Sequence, residues 1–254
     1  MLVLSVMTVV CSCAAQAGDE DDDFGDVSEL STKADSSTGN TKLVGTVALG
    51  FSRNVLYSRT PRYRAVKFHA DAGTQLELFV RSKHGDPMMW LTDASLHTIE
   101  FSDDANEETN SNISIESLAT SGDYYIVFRD KHLDSHYFEV AAVPLNLPAN
   151  APTVEQVEPV YETLVSSHAL ATKQVAASAL PYLAKGLYDR WTTEVTSTPG
   201  LSVGAYALDV AGQRVWFIRK YLAGSGMEAG AYVASGPMIG VAGGASELID
   251  SWEH

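Results

Sequence analysis

The segment Asp130-Lys131-His132-Leu133-Asp134-Ser135-His136 places two histidines four residues apart among carboxylates. On a helical turn His132 and His136 would share a face, and imidazole nitrogens with carboxylate oxygens are ligands for a divalent metal. The segment joins two expected strands, however, and side chains in such a connection ordinarily face solvent. A second stretch, Asp103-Asp104-Ala105-Asn106-Glu107-Glu108, offers Asp103 and Asp104 as hard oxygen ligands for calcium, or else is a solvated acidic loop. The run Asp19-Glu20-Asp21-Asp22-Asp23 lacks the spaced acids, central glycine and distal glutamate of an EF-hand loop. His168 lies on an apolar helical pattern and suits packing or capping better than base catalysis. Arg214, Arg219 and Lys220 form a small basic group, readable as a partner contact or as an outward strand face.

Signatures of enzymatic chemistry are otherwise missing. Ala223-Gly224-Ser225-Gly226-Met227 does not have nucleophile-elbow spacing. No Gly-Lys-Ser/Thr and no His-Glu-x-x-His is present, and Gly240-Val241-Ala242-Gly243-Gly244 does not complete a dinucleotide fingerprint. No catalytic residue and no cofactor are assigned on this basis, calcium at the acidic loop being the one cofactor candidate.

Cys11 and Cys13 are the only thiols, which excludes disulfide scaffolds, cysteine-based zinc sites and cysteine catalysis from the rest of the chain. They follow Leu2–Val10, an apolar stretch too short to span a bilayer but suited to the core of a signal peptide. Val10-Cys11-Ser12-Cys13 resembles a bacterial lipobox, which implies lipidation of Cys13. Ala15-Gln16-Ala17 offers the alternative, ordinary cleavage before Gly18. No Lys or Arg precedes the apolar run, a departure from the usual signal. Ala14 rather than an acid follows Cys13, and by resemblance to bacterial lipoprotein sorting this implies outer-membrane anchoring; otherwise the protein is periplasmic or secreted.

The chain has 254 residues and a net charge of −15, from 17 basic and 32 acidic side chains. Seven of those acids, Asp19, Glu20, Asp21, Asp22, Asp23, Asp26 and Glu29, precede the first basic residue, Lys33. Residues 18–42 thus read as an acidic, flexible tether after a signal peptide at 1–17. The acidic balance argues against nucleic acid as a partner.

Residues 43–145 read as strands. Arg64–Ala70 alternates with Val66 and Phe68 on one face, and Gln75–Arg81 with Leu76, Leu78 and Val80 inward. Further strands are expected at Met88–Asp93, His97–Phe101, Asn112–Glu116, Tyr124–Arg129 and Tyr137–Val143. Gly73 and Gly122 suit hairpin turns with positive φ, and Trp90 a core anchor or else an exposed ligand-stacking role. Short alternating strands at this spacing predict an antiparallel sandwich or jelly roll.

These residues also carry a family resemblance. Tyr63-Arg64-Ala65-Val66-Lys67-Phe68, Ala72-Gly73-Thr74-Gln75-Leu76-Glu77-Leu78, Gly85-Asp86-Pro87 ahead of Trp90-Leu91, Ser102-Asp103-Asp104 and Ser121-Gly122-Asp123-Tyr124-Tyr125-Ile126-Val127 together resemble the bacterial pre-peptidase C-terminal domain. The resemblance implies a β-sandwich and an accessory, non-catalytic role outside the cytoplasm. Such domains usually accompany a secreted protease, and no peptidase domain precedes this one.

A proline-punctuated linker, 146–152, leads to an α+β region at 153–254. Thr153 is a plausible N-cap for a helix carrying Val154, Val157, Val160, Tyr161, Leu164 and Val165, with Pro159 inside it. Helices are also expected at Ala169–Ala179 and Tyr182–Thr192, then a hairpin of Leu201–Val210 and Gln213–Leu222 about Ala211-Gly212. One or two strands follow in Gly230–Ala245, and a short helix in Glu247–Trp252. The whole predicts a lipid-anchored envelope protein that binds, adheres or scaffolds without catalysis, its partner an extracellular protein or a polysaccharide. The alternatives are a hydrolase with its site in the C-terminal region, or an inhibitor or accessory factor of a secreted protease.

Overall fold

The computed structural model describes residues 30–31, 41–103, 110–195, 199–223 and 227–243. The expected features at Cys11, Cys13, Asp104 and Glu247–Trp252, and most of the acidic segment, lie outside the described residues.

Among the described residues ten strands build a sandwich. They are β1 (Leu30–Ser31), β2 (Thr41–Thr46), β3 (Ser52–Leu56), β4 (Tyr63–Ala70), β5 (Leu76–Arg81), β6 (Pro87–Thr92), β7 (Thr98–Asp103), β8 (Ser111–Ile115), β9 (Gly122–Asp130) and β10 (Tyr137–Pro144). Six form one sheet in the order β1-β2-β4-β9-β6-β7, and four the other in the order β3-β10-β5-β8. The alternation seen in sequence sets the faces. Val66 and Phe68, Ile126 and Phe128, Met89 and Leu91 point from the first sheet toward Leu76, Leu78, Val80, Phe138 and Val140 of the second, all fully buried.

Three details differ from expectation. The pairings β1–β2 and β2–β4 are parallel, so the sheet is not wholly antiparallel. Residues 71–74 do not close a hairpin but cross from one sheet to the other, with Gly73 at φ +81° as the turn requires. Gly122, expected to do the same, begins β9 outside the left-handed region.

The C-terminal half is built on a meander of β11 (Leu201–Val210), β12 (Gln213–Leu222), β13 (Met227–Val233) and β14 (Met238–Gly243). Ala211 and Gly212, both at positive φ (+50° and +80°), make the tight turn between β11 and β12. Helix α1 (Val154–Ser166) packs Val157 and Tyr161 on Leu208, Val215, Phe217 and Tyr232. Helix α2 (Tyr182–Val195) packs Ala184, Leu187 and Trp191 on Ala205, Ile218 and Ala231, which alternate onto the opposite face. The sheet is therefore sandwiched between two helices.

Local chemistry explains the helix ends. The Gln156 side chain accepts the Thr153 N–H (3.0 Å), and α1 passes Pro159 without breaking. His168 takes φ +58° just past α1. There its N–H bonds Val165 O and that of Ala169 bonds Leu164 O, so this histidine caps through its backbone with an exposed side chain. The helix expected at Ala169–Ala179 is replaced by two short 3₁₀ turns, Leu170–Lys173 and Ala177–Ala179. Between them Gln174 bridges Tyr206 and the Val175 N–H bonds Ala205 O, so the edge of β11 takes backbone that a helix would have used internally.

The two halves meet on the outer face of the four-stranded sheet. Phe79, Ala141 and Val143 pack under Tyr182 and Leu183, and Phe51 meets Trp216 edge-on at 5.5 Å. Gly50 sits at the junction with φ +82°. Its N–H bonds Ala142 O, its carbonyl accepts the Tyr182 N–H, and a Cβ there would fall 1.0 Å from Ser235 O.

Candidate functional site

The other outer face, that of the six-stranded sheet, departs from the polar surface that a sandwich strand usually presents. Register carries one apolar row across five strands. Leu43 pairs Ala65, Ala65 pairs Val127, Val127 pairs Trp90, and Trp90 pairs Phe101. Tyr63 stands beside this row, its ring 5.6 Å from Trp90 and nearly perpendicular to it; Phe101 lies 5.0 Å from Trp90 on the far side. Tyr63, Ala65, Trp90 and Val127 are buried, and Leu43, Met88, Phe101 and Tyr125 are half-buried around them. Trp90 is thus an anchor, but of the outer face and not of the inter-sheet core.

Polar groups frame the row at both ends. At one end Asp123 binds Lys67 at 2.6 Å and His69 at 3.0 Å. The hydrogen bond from Lys67 and then that from His69 hold the Asp123 carboxyl below its ordinary range, and the bond to Asp123 holds the Lys67 ammonium above its own. At the other end Arg129 pairs Met88 in register, Met88 pairs Asp103, and Asp103 binds Lys131 at 3.2 Å. Arg62 reaches over Tyr63 at 5.8 Å. Its loop is held from beneath by Arg64, a buried guanidinium bonded to Pro61 O, Ser58 O and Oγ, and Thr60 O. Burial pulls the Arg64 pKa down, opposed by Tyr57.

Hydrogen-bond accounting gives this face its chemical character. The Trp90 indole N–H, the Nε–H of Arg62 and the Nε–H of Arg129 are buried with no acceptor among the described residues, and Thr41 Oγ1 is buried without a partner. Trp90 is only 4% exposed. Buried donors ordinarily find acceptors. This face is aromatic and rich in cations at one end, and its unpartnered buried atoms are of both kinds, since Asp103 Oδ1 at that end is a buried acceptor without a partner among the described residues.

The residues singled out for metal chemistry are arranged differently from the helical turn that would align them. Leu133 takes φ +60° in a tight turn, and the chain then runs without regular structure to β10, so His132 and His136 do not share a helical face. Asp130 is buried and organises the turn by accepting backbone N–H groups of Asp86, His132 and Asp134 at 2.9–3.0 Å. His132 Nε2 lies 3.4 Å from Asp86 Oδ2, while Asp103 binds Lys131. Among the described residues no group of three His, Cys, Asp or Glu side chains is disposed to hold a metal ion.

The basic group is divided by the pleat. Arg219 lies over Tyr221, while Lys220, on the opposite face, sits over Trp191 and binds Glu194; Arg214 binds Asp209 near the hairpin. In the glycine-rich C-terminal strands a Cβ on Gly230 would strike Phe217, and one on Gly240 would strike Val154, so these glycines make room for packing. No helix among the described residues is long and apolar enough to cross a membrane.

No protein-family model and no curated protein sequence matches the chain. Among solved structures it is similar to the pre-peptidase C-terminal domain of a collagenase from Bacillus anthracis, at 11% identity and a TM-score of 0.34, covering 40% of this chain and 95% of that one. It is also similar to PliG of Aeromonas hydrophila, a periplasmic inhibitor of g-type lysozyme, at 16% identity and a TM-score of 0.27, covering 40% and 98%. PliG of Salmonella Typhimurium gives 12% identity and a TM-score of 0.24, covering 38% and 94%.

The outer face was not legible in sequence. Period-two alternation puts Met88 and Trp90 on the side of β6 opposite Met89 and Leu91, but both sides of that strand are apolar. Only the strand order brings Val127 and Phe101 beside Trp90 and sets Leu43 in the same row. The available signal was apolar residues on both faces of β9 and β6, more than one core requires.

Proposed function

We propose that this chain is an exported, non-catalytic binding protein whose recognition surface is the outer face of the six-stranded sheet, and that its partner is a protein outside the cytoplasm. The signal-like N-terminus and the sequence resemblance to a secreted accessory sandwich support the location. The observation that carries the binding role is the aromatic row centred on Trp90 together with its buried donors. The row lies on an outer sheet face with its centre buried and Leu43, Met88, Phe101 and Tyr125 half-buried around it, and aromatic and arginine side chains are those that dominate protein interfaces. Acceptor-rich chain, carboxylate or backbone carbonyl, is the chemistry that such donors recognise. Lipid anchoring through Cys13 belongs to the same proposal and places the sandwich at the envelope surface.

Photo-cross-linking in the producing cell tests the reading. Benzoylphenylalanine replaces Tyr125 on the face, or Glu162 on α1 as control. A discrete protein adduct from position 125 and none from 162 is expected. Equal or absent adduct formation from the two positions would refute the proposed surface.

A further inference from the structure

We infer that β14 is an open docking edge and that its occupant is β14 of a second copy of this chain, the two strands pairing antiparallel about a two-fold axis.

The molecule guards its other sheet edges. An open strand edge offers unpaired N–H and C=O groups to another extended chain, and folded proteins blunt it with charge, brevity, bulges or cover. β1 is two residues long. β3 carries the exposed Arg53, and β7 the exposed Glu100 beside a register shift against β6. At β8 the Ser111 hydroxyl donates to Ser102 O and the Asn112 N–H to Ser102 Oγ, so β7 closes over that edge. β11 is met by Gln174 and Val175. β14 has none of these devices. It reads Met-Ile-Gly-Val-Ala-Gly over residues 238–243, without charge or proline, and among the described residues it pairs with β13 alone. Its register shift lies at its beginning, and from Gly240 to Gly243 it runs in regular register.

The chemistry of the edge selects the occupant. Gly240, Val241, Ala242 and Gly243 are backed in register by Tyr232, Ala231, Gly230 and Ala229, all uncharged. A charged strand laid along these rungs would lose hydration and find no counter-charge among them. The partner that fits is a short, uncharged, apolar strand, and β14 is itself one. Symmetry permits the pairing. A two-fold axis normal to the sheet keeps each face with its like, and opposed residues of an antiparallel pair share a face, so the axis passes through a residue. An axis at Val241 lies within the regular stretch and sets Gly240 opposite Ala242 of the second copy.

The linker adds apolar surface nearby. Its two ends are fixed beside this strand, Pro144 against Gly236 in the β13–β14 turn and Val154 against Gly240. Between them Leu145 and Leu147 are 45% and 41% exposed, so the linker brings uncovered apolar side chains to the neighbourhood of the open edge. The ladder is short, and the dimer it makes is weak, populated over about 10–500 µM. It uses no residue of the six-stranded sheet and stands independently of the function proposed above.

The test uses the full chain with Cys11→Ser and Cys13→Ser. Sedimentation equilibrium at about 5–500 µM should show monomer and dimer in exchange, and the outward amides of β14 should gain hydrogen-exchange protection as concentration rises. In Val241→Cys the two thiols meet across the axis, at the Cα separation of about 4.5–5.5 Å that a disulfide bridges. Mild oxidation should give disulfide dimer at least about tenfold faster than in Ser202→Cys, an exposed control on the opposite edge strand. Val241→Lys, which opposes two ammonium groups, should raise the dissociation constant at least about tenfold. A monomer at about 500 µM, protection gained outside β14 alone, or disulfide formation no faster at position 241 than at 202 would overturn the pairing. Outward β14 amides already protected in the monomer would show the edge filled by another segment and would overturn it as well. If Val241→Lys lowers the melting temperature, the disulfide ratio and the exchange pattern decide without it.

Discussion

Replacing Tyr182 by alanine tests whether the sandwich and the helix–sheet half unfold together. Tyr182 stacks on Phe79 with ring centres 5.3 Å apart and planes inclined by 25°, and the Arg81 guanidinium lies 4.3 Å from Phe79 and 5.8 Å from Tyr182. Removing a fully buried aromatic side chain costs about 3–5 kcal/mol. Tyr182 keeps some solvent access, so about 2–3 kcal/mol is expected, of which about 1 kcal/mol is the ring-on-ring contact. The loss falls on the junction and not on either core. The reporter is Trp216, which meets Phe51 across the junction; its fluorescence is taken as the difference from a Trp216→Phe chain. In guanidinium, fluorescence and far-ultraviolet circular dichroism should report one shared transition for the natural chain. In Tyr182→Ala the fluorescence change should come first, at lower denaturant, while Tyr182→Phe stays near the natural midpoint. Coincident transitions at an unchanged midpoint in Tyr182→Ala would refute the view that this stack couples the halves.

The same tyrosine gives a pH prediction. Burial, the largest influence, pushes the Tyr182 phenol up to about 12, with Arg81 opposing. The folded state thus keeps a proton that the unfolded chain loses near pH 10, so the associated stability is intact below pH 10 and declines as pH rises toward 12. The decline should be about 1–2 kcal/mol after allowance for partial solvent access, and Tyr182→Phe should remove it from a series of denaturation curves taken at pH 9–12. Gly50→Ala should cost more than about 3 kcal/mol, because the new Cβ meets the Ser235 carbonyl at a backbone position that disfavours side chains; a melting temperature within a degree or so of the natural one would contradict this packing. Arg64→Met should loosen the loop at residues 58–62 by about 3 kcal/mol, the worth of its charged hydrogen bonds, read as faster amide exchange at Arg62 and Tyr63. Asp130→Ala should destabilise by about 2–3 kcal/mol through three orphaned backbone donors, measured by thermal melting, with Asp130→Asn losing less.

Strands whose side chains alternate against one core announce themselves, and β4, β5 and β9 fall within a residue or two of the positions expected from their pattern. The β11–β12 hairpin was equally legible, since two residues between apolar runs, the second of them glycine, demand a tight turn. Strands β2 and β3 gave no such signal. Each is short and mixes exposed with buried positions, and β2 joins β4 in parallel, without the hairpin that marks antiparallel neighbours. The failed helix at Ala169–Ala179 is a case of tertiary override, its backbone recruited by the edge of β11. Trp90 shows the limit most clearly. Its size marked it as an anchor, but which of two apolar faces it anchors depends on five strands whose spatial order is not their sequence order.

The parallel joining of β2 to β4 determines how the molecule bears load. Were the chain held at an envelope surface through its N-terminus, as proposed, tension would enter at Leu30. The two-residue pairing of β1 with β2 is short enough to yield first. Tension then passes along the axis of β2, whose bonds to β4 extend from Thr41 to Thr46 and are loaded together instead of one after another. A strand pulled in shear resists as a set, whereas a hairpin pulled from its open end unzips bond by bond. Under that load the sheet edge would combine a weak latch with a strong joint, the first strand yielding to a modest tug on the N-terminus before the sandwich behind it opened.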